Sequence, residues 1–407
     1  MTKARVLIIG GSIAGLTAGN LFRRRGWDVQ VFERATGDLE GRGAGITILP
    51  GLVESFQAAG ADETEESLGI VLPERIALDR HGEIVAERSF KQAMTSWGRL
   101  YESMRSIFPA DRYHGGMTLD DIEQTDREVT AVFRDGQRVS GDLLIGADGL
   151  RSTVRARFLA DLQPHYAGYV AWRCLTDEQA LDASRFERLM NCYTVCVAPG
   201  QQGIAYPVPG PDHSKQPGRR QYNVVWYHPV PEAEGLPRFL TDDSGNYHPN
   251  GIAPALLSTR LRDEMIATAG QVLAPQFAEA IRKARTHFFQ PIMDIEPPRM
   301  AFGRVAIIGD AAFAIRPHVA MGVPKGTGDA LALVEALDET GELTTALQRF
   351  EAKRLPVGRN IVNRGRYLGT YMEAQLGTDA QREAAEKARV PMQVMTETAA
   401  PFDYEAK

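Results

Sequence analysis

The chain has 407 residues, 43% of them hydrophobic and 24% charged, with a formal net charge of −6. That length suggests roughly two or three domains, and the ordinary composition excludes disordered and fibrous classes. No basic block offers a footprint for nucleic acid, no apolar run reaches the ~18 residues of a membrane span, and three cysteines (Cys174, Cys192, Cys196) show neither a disulfide framework nor metal-ligand spacing.

Met1 to Lys3 lead straight into Arg5 to Ile9, a short apolar run bounded by glycine, which reads as a buried parallel strand and not as a signal peptide. A cytoplasmic protein with no membrane partner is expected. Gly10-Gly11-Ser12-Ile13-Ala14-Gly15 follows, the pattern turns helical from about Ala14 to Arg25, and Val29 to Phe32 forms a second strand ending at Glu33 and Arg34. This is a βαβ unit whose glycine-rich turn opens a helix. Backbone N–H groups at a helix N-terminus receive a pyrophosphate. The first glycine makes the turn, the second position admits the phosphate, and the third lets helix and strand pack closely. Ser12 holds the second position, a small departure. Glu33, about 20 residues on, is placed to accept from ribose hydroxyls. FAD and NAD both remain open on this unit alone.

Two later stretches share its grammar. Asp142 to Ile145 runs into Gly146-Ala147-Asp148-Gly149, with Ser152 near a helix cap and Arg155 in the first turn. Arg304 to Ile308 runs into Gly309-Asp310, then through Pro317 and Gly322 to a helix from about Gly326 to Leu337 that carries Asp329-Ala330. A carboxylate at a strand end accepts from a ribitol or ribose hydroxyl, and a glycine turn beside a helix N-terminus offers N–H groups. Between these motifs, residues 166 to 230 hold short aromatic runs punctuated by Pro and Gly, which read as an antiparallel sheet. Residues 231 to 251 read as a surface loop. Segments 256 to 269 and 275 to 285 read as helices, and the polar stretch after about 366 as a C-terminal helix with a fraying tail.

With Gly10 to Gly15, Gly146 to Arg155, and Gly309-Asp310 with Pro317 in this order, the chain resembles the single-component flavoprotein aromatic hydroxylases, the para-hydroxybenzoate hydroxylase-like family, to about residue 370. Four further stretches carry a closer likeness, to the members acting on dihydroxypyridines: Tyr166 to Arg173, Ala205 to Gly210, Val225 to Tyr227 and Arg316 to Ala320. The resemblance implies bound FAD, with NADH or NADPH as co-substrate. It assigns the FAD pyrophosphate to Gly10, Ser12, Ile13, Ala14 and Gly15, and both FAD and nicotinamide contact to Asp148. Asp310 goes to the ribitol, and the flavin ring to the loop 41–46, including Gly45 and Ile46. Glu33, Arg34, Gly322 and Val323 complete the expected cofactor contacts. Three positions depart from the family pattern: Phe313 where histidine is common, Ala320-Met321-Gly322 where Gly-Gln-Gly is common, and Tyr101 where an arginine is common.

The implied reaction is hydroxylation of a small hydroxylated aromatic or N-heteroaromatic ring by O2, through a C4a-hydroperoxyflavin. His318, next to Pro317 on the loop the family places by the flavin, is the expected catalytic group, either as a base or as a plain hydrogen-bond partner. Tyr206, Trp172 and Pro317 are the expected substrate contacts. Arg173 faces either an anionic substrate or an ordinary salt bridge. The fold class is α/β: a Rossmann-like FAD domain with a parallel sheet (1–70, 95–165, 290–365), an interleaved substrate domain with a mostly antiparallel sheet (71–94, 166–289), and a C-terminal helix and tail (366–407). A homodimer is the expected assembly. Competing readings are a flavoprotein of the same fold acting as an epoxidase or reductase on a larger apolar substrate, or a non-catalytic FAD redox sensor.

Overall fold

The structure is a computed structural model that describes residues 4–37, 39, 45–249 and 251–405. A six-stranded sheet forms from segments far apart in sequence. Its order is Ala301–Phe302, Val305–Ile307, Leu143–Gly146, Arg5–Ile9, Asp28–Glu33, Tyr113–Gly115. All neighbours are parallel except the first pair. Val6, Leu7, Ile8, Leu143, Leu144 and Ile145 are wholly buried, as expected of parallel strands covered on both faces. Helices Ile13–Arg24 and Gly322–Thr340 lie against each other, with Gly326 close against Ala14.

The second sheet has eight strands and one parallel pair, Cys192–Cys196 with Ile70–Leu78. Strand parity divides its side chains between two cores. Val170, Trp172, Cys174, Tyr222, Val224 and Trp226 pack with Leu261, Met265, Phe277 and Ile281 from helices Thr259–Val272 and Pro275–Lys283. Tyr169, Ala171, Tyr193, Ile204, Tyr206, Val225 and Tyr227 face the other way, toward Met372, Met395 and Ala399.

Three expectations need correction. Strand Gly45–Ile48, inside the stretch assigned to the nucleotide domain, pairs with residues 93–96 and closes the edge of the second sheet. The stretch 231–251 is not all loop: it holds a short helix, Leu236–Phe239, and a bridge between Thr241 and Tyr247. The tail does not fray. Beyond the long helix Leu343–Ala374, helices Asp379–Ala388 and Pro391–Glu397 bring the chain back onto the sheet. There Met395 is wholly buried, and the Arg75 guanidinium donates to the carbonyls of Met395, Thr398 and Ala399 at 2.9, 2.6 and 2.8 Å.

Candidate active site

The parallel sheet ends its strands in register. Ile9 lies opposite both Gly146 and Phe32, and Gly146 opposite Ile307. The three glycine turns therefore leave one sheet edge side by side. A side chain cannot be added at their contacts. A Cβ on Gly10, where φ is +107°, would sit 2.3 Å from the Ala147 carbonyl oxygen, and one on Gly15 would sit 1.9 Å from that of Gly10. Gly309, at φ +60°, faces Ala14. Arg155 ties the second motif to the third by donating to the carbonyls of Leu150 and Ala311.

The edge offers unused donors. Ser12 precedes helix Ile13–Arg24 without a side-chain capping bond, and Met321 precedes helix Gly322–Thr340 in the same way. N–H groups at both helix starts lack the side-chain cap that commonly satisfies them, and the positive ends of both dipoles face this edge. Gly322 is exposed, and Val323 and Pro317 are half-buried beside it. Glu33 ends its strand and accepts from the backbone N–H of Gly11 and of Ala35 at 2.9 and 3.0 Å. Arg34 is exposed. Asp310 also opens to solvent at the strand edge. Asp148 is engaged differently: its carboxylate accepts from the Ser152 hydroxyl at 2.5 Å and the Val154 N–H at 3.1 Å, capping helix Thr153–Phe158. Burial pushes its carboxyl up, against those bonds.

The edge strand of the second sheet begins at Gly45. Its N–H donates to the Asn223 side-chain oxygen at 3.0 Å, and its backbone presses on the Tyr206 ring. Asn223 Nδ2 is buried without a hydrogen-bond partner among the described residues. Ile46 follows in the same strand; residues 41–44 of the expected flavin loop lie outside the described residues. Tyr206 stacks on Tyr193, with ring centroids 5.5 Å apart.

The structure separates the expected substrate residues. Tyr206 lies on the same sheet face as Tyr169 and Tyr227, against which His318 packs, but Trp172 does not: its indole packs with Phe239 and Phe289 in the opposite core. His318 is enclosed completely, with no surface for a substrate to touch. Its ring lies 4.0 Å from that of Tyr227, and Nε2 pairs with the Tyr169 hydroxyl at 2.9 Å. Burial, and then the neighbouring Arg316 charge, push its pKa down to about 3. A neutral, walled-off imidazole is placed to hold Tyr169 and Tyr227, not to take a proton from a substrate. Sequence reading gave no site role to Tyr227, although Val225 to Tyr227 carried the closer likeness and Tyr227 is an aromatic in a strand alternating with buried partners. It also overlooked the enclosed Lys325–Asp329–Arg354 cluster behind Gly309.

Three strand-end glycine turns, two uncapped helix starts and the carboxylates of Glu33 and Asp310 at strand ends fit an extended dinucleotide, and a second, aromatic-rich sheet packs against the loop after the third turn. That combination defines a flavoprotein of the α/β, two-sheet type. A family profile described as FAD binding domain-like matches residues 166–294. The chain is 30% identical over 380 residues to 2,6-dihydroxypyridine 3-monooxygenase of Paenarthrobacter nicotinovorans, covering 91% of this chain and 92% of that one. The solved 2,6-dihydroxypyridine-3-hydroxylase from Arthrobacter nicotinovorans superposes with a TM-score of 0.85 at 30% identity, covering 91% and 93% of the two chains. Klebsiella pneumoniae HpxO, solved with FAD and uric acid, superposes with a TM-score of 0.75 at 25% identity, covering 94% and 92%. The chain belongs to the FAD-dependent aromatic monooxygenases. No helix among the described residues is long and apolar enough to cross a membrane.

Proposed function

We propose that this chain hydroxylates a small hydroxylated aromatic or N-heteroaromatic ring, with O2 as oxygen source and a reduced nicotinamide as electron donor. The observation that carries the reading is the seating of the loop after Gly309-Asp310 on the second sheet, where His318 Nε2 pairs with the Tyr169 hydroxyl at 2.9 Å and its ring lies 4.0 Å from that of Tyr227. It brings the tyrosine-lined face of that sheet to the loop that follows the third glycine turn. When bound, FAD supplies hydride acceptance and O2 activation; the protein supplies binding, orientation and exclusion of water.

Gly10, Ser12, Ile13, Ala14 and Gly15 would hold the pyrophosphate on the helix start. Glu33, with Arg34 beside it, would meet the adenosine ribose, and Asp310 the ribitol. Gly322, Val323, Gly45 and Ile46 would border the ring system, with Pro317 at its reactive edge. Asp148 contributes by shaping the second turn through its cap. On the substrate side, Tyr206 and Tyr227 present their hydroxyls, and His318 steadies Tyr227 from behind. Relatives named for dihydroxypyridine, urate and 3-hydroxybenzoate indicate the scale of the ring.

The test is a visible spectrum of the purified protein, followed by NADH and NADPH oxidation with hydroxypyridines, hydroxybenzoates and phenols. Hydroxylated product must be quantified, because uncoupled hydrogen peroxide release mimics turnover. A flavin spectrum with ring-dependent product supports the reading; oxidation that no aromatic compound stimulates overturns it.

A further inference from the structure

Two alanines adopt left-handed backbone, Ala320 at φ +55° and Ala399 at φ +49°. Glycine enters that region freely, while the Cβ of alanine disfavours it roughly five- to thirtyfold. Such a residue persists only where its surroundings over-determine it. Ala320 lies in the loop after the third glycine turn, two residues past His318, at a position where glycine is common in the family. Ala399 lies in the tail, just beyond helix Pro391–Glu397. The loop has few backbone bonds of its own: the Ala320 N–H donates to the Pro317 carbonyl at 3.0 Å, and the Val319 N–H to that of Arg316 at 3.5 Å.

The tail supplies what the loop lacks. The Ala399 N–H donates to the His318 carbonyl at 2.7 Å. Ala320 packs against two apolar clusters, and the tail reaches both. One joins Met395 and Ala399 to Tyr169 and Tyr227; in the other, Phe402 and Tyr404 pack with Val319 and Met321 over Val357 and Ile361 of the long helix. The tail is itself fixed on either side of these contacts. Arg75 donates to the carbonyls of Thr398 and Ala399 at 2.6 and 2.8 Å, and Asn360 Nδ2 to that of Tyr404 at 3.0 Å. The sheet thus holds His318 by its side chain, through Tyr169 and Tyr227, and the tail holds it by its backbone.

We infer that the tail, through Ala399, Phe402 and Tyr404, is an intramolecular clamp that keeps residues 317–321 in a left-handed turn which alanine at position 320 would otherwise leave. These are positioning residues: they act through the loop and touch no substrate. The clamp itself stands on backbone geometry. Its consequence for the reaction rests on the hydroxylase reading above, in which Pro317, Gly322 and Val323 border the flavin. Releasing the tail frees the loop from that turn and admits water to the edge those residues form.

The experiment is hydrogen exchange read by mass spectrometry on the FAD-loaded full chain, with iodide quenching of flavin fluorescence as a second readout. Ala399→Pro removes the N–H that donates to His318. Phe402→Ala combined with Tyr404→Ala removes the apolar contact. Ala399→Gly keeps the bond and suits the positive φ. The first two variants should raise exchange across residues 315–323 roughly tenfold and leave strand Arg5–Ile9 as protected as in the parent. Ala399→Gly should not raise it. Adding Ala320→Gly to either clamp variant should recover most of the protection, because glycine holds the left-handed turn unaided. Iodide should reach the flavin more readily in the clamp variants than in the parent or the rescued proteins. Unchanged exchange at 315–323 in both clamp variants, equal increases across the whole chain, or no recovery by Ala320→Gly overturns the clamp. Raised loop exchange with unchanged iodide quenching supports the clamp and overturns the placement of the flavin beside this loop, so the two failures are told apart.

Discussion

Lys325 and Asp329 pair at 2.8 Å, one helical turn apart, with both side chains completely enclosed. The pair grips the backbone of Gly309 from both sides: Lys325 Nζ donates to its carbonyl at 2.7 Å, and the Asp329 carboxylate accepts from its N–H at 3.0 Å. Arg354 completes the cluster on the other Asp329 oxygen, and the Lys325 ammonium lies over the Phe313 ring. Burial alone would raise the Asp329 carboxyl, but Lys325 and Arg354 outweigh it and hold the group below the usual carboxylate range. The left-handed glycine turn that precedes Asp310 is thus fixed from behind by charges.

Removing one member of such a buried set leaves the rest uncompensated. Asp329→Asn strands two cations and should cost about 3–5 kcal/mol. Lys325→Met should cost less, because Arg354 still neutralises Asp329. Urea denaturation and the flavin-to-protein ratio check the order: both variants should lose FAD, Asp329→Asn more severely. An Asp329→Asn protein as stable as the parent would show that the cluster does not support the turn.

Gly15→Ala and Gly270→Ala should move stability in opposite directions. A methyl at Gly15 would overlap the Gly10 carbonyl at 1.9 Å, so helix and turn must separate, at a cost of about 1–3 kcal/mol or more, with loss of FAD. Gly270 is exposed within helix Thr259–Val272, and a methyl added there would meet nothing within 4 Å. Alanine at that position should stabilise by about 0.5–1 kcal/mol through helix propensity. Thermal melts of the two proteins decide it.

The nucleotide side was legible because its constraints are local. Gly10, Gly15 and Gly309 must be glycine for steric reasons that a short window reveals, and Gly10 and Gly309 each follow an apolar strand. Position across the second sheet was not legible in the same way. Strand His165–Asp177 is buried on both faces, so Trp172 and Tyr169 look equally suited to a pocket wall, and only the helices 259–283 reveal which side is core. His318 was placed on the right loop, but its enclosure depends on Tyr169 and Tyr227, which are distant in sequence. The docking of the tail was hidden because Met395 sits in a polar stretch and its anchor, Arg75, lies more than 300 residues earlier.

Arg75 predicts what happens when that anchor goes. It is buried, stacks over Phe90 and Tyr193, and spends its donors on Gln92 and three tail carbonyls. Arg75→Met keeps much of the packing but leaves those carbonyls without a donor, a cost of about 3 kcal/mol. The tail should then release before the domain unfolds. Limited proteolysis with mass analysis should show cleavage beyond residue 388 in the variant under conditions that leave the parent intact; identical digestion patterns would remove Arg75 as the tail's anchor.

His318 sets a pH dependence whose sign follows from its enclosure. An unfolded histidine titrates near 6.5, whereas burial and Arg316 hold the folded one at about 3. Below pH 6.5 the unfolded chain takes up a proton that the folded chain refuses, so the stabilisation is complete above 6.5 and is lost as pH falls toward 3. Each such group contributes a slope of up to about 1.4 kcal/mol per pH unit in that window. His228, pushed down to about 4 by burial, adds to the same trend. The clean measurement is therefore the difference between the parent and His318→Gln. Urea titrations at pH 7.5, 6 and 5 should give a gap that shrinks as pH falls, because the variant has no proton to refuse at this site. A gap that stays constant across the three pH values would mean that the folded imidazole takes up its proton as readily as the unfolded one, with no penalty for its enclosure. In that case His318 would become a charged partner of Tyr169 as pH falls, and its reach to the substrate through that hydroxyl would have to be reconsidered.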